Sequence, residues 1–146
     1  MSTHWLLRIG NGEHFRTSFP HSLWGITSRH PWSKNFIHSV KAGDILWFVE
    51  TGGLLVAVAT YVKIEKRVLG PILNLTPTNE DLGWTKTDGD WDIEVHYKDL
   101  YNIRQCNLNA GIKSAVTIRR YNEKCKVDLP KEYPSIVRYS KITTKM

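Results

Sequence analysis

The chain has little cysteine and no long apolar run. Its 146 residues include two cysteines, Cys106 and Cys125, with no metal-ligand spacing around them. Two scattered thiols suit a reducing compartment and argue against a small secreted domain stapled by disulfides. The longest apolar stretch, Leu54 to Tyr61, is interrupted by Thr60. It falls well short of the roughly 20 residues a membrane-spanning helix needs. No basic segment followed by a long apolar one marks a signal peptide. These features predict a soluble intracellular protein with no membrane partner, cytoplasmic or nuclear.

Motifs of catalysis are also missing. Gly10-x-Gly12 lacks the third glycine and the following helix of a dinucleotide fingerprint. There is no phosphate-binding loop, nucleophile elbow or His-Glu-x-x-His. His4, His14, His21, His30, His38 and His96 form no zinc pattern with the cysteines. Asp44 reads as a turn residue. No catalytic residue, metal or cofactor is therefore assigned. Catalytic groups can lie far apart in sequence, but the balance moves toward a binding module.

What is present is one domain, 1–146, with its core over about 4–105 and a less defined part from 106 to 146. At 41% hydrophobic residues it can bury a real core. The net charge of +6 favours a polyanionic partner. Six tryptophans stand out: Trp5, Trp24, Trp32, Trp47, Trp84 and Trp91. Trp5 and Trp47 fall inside strand patterns and read as core. Trp24 precedes Gly25 after a loop, and Trp84 follows Gly83. By position alone, each suits a pocket wall as well as the core.

His4 to Ile9 reads as a strand, closed by Gly10-Asn11-Gly12. Glu13 to Phe19 reads as a short helix stopped by Pro20, and Trp24 to Thr27 as a short extended piece. Ser28 to Trp32 reads as loop, with Pro31 excluding regular structure. Ser33 to His38 reads as a short helix capped by Ser33. Ile45 to Glu50 and Leu54 to Glu65 form a hairpin across Gly52-Gly53. Leu54 to Ala59 is apolar on both parities, so that strand should be buried on both faces. Thr76-Pro77 and the acids after it predict a short helix ending at Gly83. Trp91 to Tyr97 alternates as a strand, with Lys98 to Arg104 extending it past a bulge. Ala115 to Arg119 suits a strand, Pro130 a helix start, and Val137 to Ile142 a last strand or a tail. The fold class is α+β, with a curved or closed antiparallel barrel and short flanking helices.

Aromatic and basic residues lie side by side in the loops. Arg29, His30, Trp32 and Lys34 follow Trp24, Lys86 follows Trp84, and Arg119 and Arg120 precede Tyr121. A ring offers a stacking face to any base while nearby cations hold phosphates, the combination used on single strands.

Four motifs in order resemble the EVE domain, a branch of the PUA-like superfamily and a distant relative of YTH domains. They are His4-Trp5-Leu6-Leu7-Arg8-Ile9, Trp24-Gly25-Ile26, Val40-Lys41-Ala42-Gly43-Asp44, and Leu55-Val56-Ala57-Val58-Ala59-Thr60. The resemblance implies a non-enzymatic reader. It takes a base of RNA or DNA, modified for example by methylation as N6-methyladenosine is, into an aromatic cage. Trp24 and Trp84 match the cage tryptophans, Asn11 a base-contacting asparagine, and Gly25 a small residue whose backbone faces the base. Trp32 and Ser28 join the base-binding candidates. Arg8, Arg29, Lys34 and Lys86 are the phosphate-binding candidates. The segment between Tyr61 and Trp84 is longer than in a compact YTH domain, and no third cage residue is identified. The expected partner is nucleic acid, and the expected state a monomer. Two alternatives stay open. One is an ASCH-like hydrolase or nuclease using Lys34 or Lys41 with Tyr97. The other is a module whose tryptophan pocket takes a peptide.

Overall fold

The computed structural model describes residues 2–66, 82, 91–111 and 118–139. The first strand, β1 (His4–Arg8), runs into Gly10-Asn11-Gly12 and then helix α1 (Glu13–Ser18), which closes in a 3-10 turn at Phe19–His21. Strand β2 (Leu23–Ile26) follows, then α2 (Pro31–Ser39), β3 (Ile45–Val49), β4 (Leu55–Lys66) and β5 (Ile93–Asn102). A 3-10 turn at Arg104–Cys106, β6 (Ile118–Arg120) and α3 (Leu129–Tyr139) complete the described elements. The strands make one sheet in the order β2-β5-β4-β3-β1-β6, curled into a half-barrel. This is the expected α+β class with a curved sheet. Most neighbours run antiparallel, but β1 lies parallel to β3, so the sheet is mixed. A parallel pair needs a long crossover, and here α1, β2 and α2 supply it.

The central strands are buried on both faces, as the double-parity apolar pattern predicts. Every residue of β3 and the first five of β4 are buried. Trp5, Leu7, Leu46 and Phe48 point into one core cluster, together with Phe15 of α1 and Phe36 of α2. Leu6, Ile45, Trp47 and Val49 point into the other, together with Leu129 and Ile136 of α3. Thus α1 and α2 cover one face and α3 the other. Trp5 and Trp47 are fully buried, in keeping with a core role.

Turn chemistry sets the register. Gly52 and Gly53 both have positive φ, 99° and 96°, the conformation a Gly-Gly hairpin needs. A Cβ on Gly53 would also meet Asn109 Oδ1 at 2.6 Å. The bulge expected after Lys98 is present. Val58 pairs with Tyr101 and Thr60 with Lys98, so β5 holds one extra residue there, beside Asp99 with its φ of 54°.

Asp44 does more than turn the chain. It is buried, and its Oδ1 accepts the Thr3 backbone N–H at 3.0 Å. Its Oδ2 accepts Trp5 Nε1 at 3.1 Å and the Lys41 backbone N–H at 3.0 Å. One carboxylate thus ties β1 to the turn entering β3. On the opposite face Trp47 Nε1 donates to His4 Nδ1 at 2.9 Å. Burial lowers the His4 pKa below its usual value, against the opposing charges of Asp44 and Asp128.

Two expectations are corrected. Helix α2 begins at Pro31, not after Ser33, because proline at the first helical position loses no hydrogen bond. His30 is its cap, its Nδ1 accepting from the Trp32 backbone N–H at 3.4 Å, and Ser33 is buried within the helix. Residues 137–139 continue α3 rather than forming a strand. The helix expected at 76–83 and most of the 115–119 strand lie outside the described residues.

Candidate functional site

Strand β2 places Trp24 and Gly25 at one edge of the sheet, paired to β5. Alternation sends their side-chain positions to opposite faces. Trp24 turns to the α1/α2 face and is 8% exposed. The Phe15 ring meets it edge-on at 6.1 Å, Phe15 stacks near Phe48 at 4.6 Å, and Phe48 lies 5.2 Å from Tyr97. Trp24 therefore joins an aromatic chain through the core. Gly25 is buried and lies directly opposite Glu94 of β5, on the other face.

The loop after β2 is tied back to the start of β5. Ser28 donates its backbone N–H to Asp92 Oδ1 at 2.9 Å and its hydroxyl to Asp92 Oδ2. Burial alone would raise the Asp92 pKa. The Ser28 hydrogen bonds and the Arg29 charge outweigh it and hold the carboxyl below its usual value. With its proton committed to Asp92, the Ser28 hydroxyl faces a ligand as an acceptor only.

Helix α2 is anchored through Phe36, whose ring meets Trp5 at 5.0 Å and Tyr61 at 6.0 Å, both edge-on. Its first turn faces outward. Trp32 is 48% exposed, and with Val62 it is one of two exposed large hydrophobics among the described residues. Arg29 and Lys34 on either side of it in sequence are exposed too. Trp24 and the Phe36 side of α2 both pack into the core on the same face of the sheet.

The other candidates lie further round. Asn11 is exposed, and its Oδ1 accepts the Glu13 backbone N–H at 2.9 Å, fixing the start of α1. Arg8 is half-buried at the end of β1, beside Val49 of β3. Trp84 and Lys86 lie outside the described residues. Trp24, Ser28, Arg29, Trp32 and Lys34 thus follow one another along the segment from β2 into α2, while Asn11 and Arg8 belong to the β1–α1 junction. Tyr97 is 3% exposed, with no hydrogen-bond partner for its hydroxyl among the described residues. Burial raises its pKa far above the usual phenol value. It keeps its proton and is no acid–base partner for the exposed Lys34 or Lys41.

No family model matches the chain, and no curated protein matches it in sequence. Solved structures do resemble it in fold. The YTH domain of Pho92, in complex with m6A, superposes with a TM-score of 0.55 at 15% identity, over 94% of this chain and 84% of that one. The YTH domain of Zygosaccharomyces rouxii MRB1, in complex with N6-methyladenosine RNA, gives 0.53 at 12%, over 99% and 88%. A mutant form of the ASCH protein of Zymomonas mobilis gives 0.51 at 8%, over 94% and 99%. At these identities the likeness is one of fold: the chain has the α+β, PUA-like architecture of ASCH and YTH domains. The narrower likeness to EVE domains rests on the sequence motifs.

Proposed function

We propose that this protein is a nucleic-acid-binding module that holds a single-stranded or flipped nucleotide at the β2–α2 corner. One observation carries the reading: Trp32 leaves nearly half its surface in solvent, in a segment whose Arg29 and Lys34 are also exposed. A large exposed aromatic among cations costs solubility and brings nothing to the core. It does suit a base stacked on the ring with phosphates held alongside. The fold likeness to two YTH domains bound to N6-methyladenosine supports the same reading.

In this account Trp32 is the outer stacking face and Trp24, largely covered, the floor. Trp84 and Lys86, the second cage wall and further phosphate contact that the sequence motifs imply, lie outside the described residues. Ser28 accepts a hydrogen bond from a base N–H. Asn11 and Arg8 meet the strand where it leaves toward α1. A methylated base gains about 0.8 kcal/mol for one buried methyl-sized group, a few-fold preference. Discrimination of a modified base therefore needs a shaped cage as well. The test is fluorescence-anisotropy binding of single-stranded RNA, with and without N6-methyladenosine, to the wild type, Trp32→Ala and Trp24→Ala. The reading expects wild-type binding that both substitutions weaken. Equal, salt-sensitive binding by all three proteins would leave only a basic surface.

The hydrolase reading shares the fold likeness to ASCH, but its Tyr97–lysine pairing fails on the burial of Tyr97.

A further inference from the structure

Away from the β2–α2 corner, on the opposite face of the sheet, three potential metal ligands meet. Glu65 of β4 and Glu94 of β5 are directly paired across the two strands, and His96 lies two residues along β5 on the same face. His96 Nε2 is 2.8 Å from Glu94 Oε1 and 3.7 Å from Glu65 Oε2. One donor atom from each of the three lies within 4.8 Å of the other two. Lys63 Nζ holds the other Glu65 oxygen, Oε1, at 2.6 Å. That leaves Oε2 turned to the imidazole.

The cluster differs from an ordinary surface group of charges. Like charges directly opposite in a sheet repel. Here one of the two carboxylates, Glu94, has no solvent exposure at all, and its Oε1 faces the His96 imidazole. His96 is 22% exposed and Glu65 42%, so the three donors step from the interior to the surface.

We propose that Glu65, Glu94 and His96 bind a divalent cation of the zinc class. Two carboxylate oxygens and one imidazole suit Zn²⁺ or Mn²⁺, better than Ca²⁺, which takes oxygens alone, or Cu⁺, which prefers sulfur. Three protein ligands leave a coordination position for water or an outside ligand. On binding, the cation replaces the hydrogen bond between His96 Nε2 and Glu94 Oε1. The imidazole then coordinates through the Nε2 lone pair, with its proton on Nδ1.

The test titrates ZnCl₂ into the whole metal-free protein by calorimetry and follows CoCl₂ binding by visible absorption. It compares the wild type with His96→Asn, Glu65→Gln and Glu94→Gln. The expected result is a single binding equivalent in the wild type, weakened roughly tenfold or more in each variant. A thermal shift with Zn²⁺ should appear in the wild type and be lost in the variants. Glu65 and His96 reach solvent, so their variants carry the test even if Glu94→Gln does not fold. No stoichiometric binding by the wild type would overturn the proposal. So would binding that His96→Asn and Glu65→Gln leave unchanged, as a site at Cys106 or Cys125 would give.

Discussion

Replacing Asp44 by asparagine keeps its shape and removes its charge. The carboxylate accepts three N–H donors, from Thr3, Lys41 and the fully buried Trp5 indole. Asparagine offers one carbonyl oxygen and one NH₂ group. With its oxygen in the Oδ2 position, it keeps the Trp5 and Lys41 bonds as neutral ones and turns an N–H donor toward Thr3. The reverse orientation loses two bonds instead of one. Hydrogen bonds to charged groups contribute about 1.5–3 kcal/mol each, and neutral ones about 1. One bond lost and two weakened give a cost of at least about 2.5 kcal/mol. Asp44→Ala strands all three donors and should cost more. For a chain of this length, each kcal/mol lowers Tm by about 3 °C, so Asp44→Asn should melt at least about 7 °C below the wild type. Urea unfolding followed by tryptophan fluorescence measures this directly. A loss below about 1 kcal/mol, or an alanine variant no worse than the asparagine one, would refute the hydrogen-bond accounting.

Trp32→Ala should weaken single-stranded RNA binding by about 1–3 kcal/mol while leaving the urea midpoint almost unchanged, because the ring is half in solvent. Arg29→Ala and Lys34→Ala should each flatten the slope of log K against log salt by a little under one, the signature of a lost phosphate contact in a salt titration. His4 has a folded pKa below its unfolded value of about 6.5, so the unfolded chain binds the proton more readily. Its contribution is complete above about pH 6.5 and fades as pH falls toward the folded value. Urea midpoints should drop between about pH 7 and 5.5 in the wild type, and less in His4→Asn. Glu50 pairs both its oxygens with Arg104 at 2.9 and 2.8 Å, with Arg104 39% and Glu50 16% exposed. Glu50→Gln keeps one acceptor oxygen and should cost about 1–2 kcal/mol in the same assay.

Much of the scaffold was legible because its signals are local. The Gly52-Gly53 hairpin, the doubly buried β4 and the bulge beyond Lys98 follow from residues adjacent in the chain. The parallel β1–β3 pair was not, because no local pattern reports the direction of a partner strand far along the chain. Pro31 misled for a different reason: proline breaks a helix interior but is at home in the first turn, and the His30 cap is weaker in sequence than a serine. At the site, the run from Ser28 to Lys34 was readable from composition. The tie between Ser28 and Asp92 was not, since the two are 64 residues apart. The same holds for Glu65 with Glu94 and His96. A Glu-x-His alternation on one strand is visible in sequence, but its third member arrives only through strand pairing.

Nucleic-acid binding at the β2–α2 corner depends on a base stacking on Trp32. The most direct test is quenching of tryptophan fluorescence by a short single-stranded RNA, in the wild type and in Trp32→Phe and Trp32→Ala. The account predicts saturable quenching with the wild type. Binding should be largely kept by Trp32→Phe, which retains a stacking face, and weakened by Trp32→Ala. Equal affinity in all three proteins, with the same salt dependence, would contradict it.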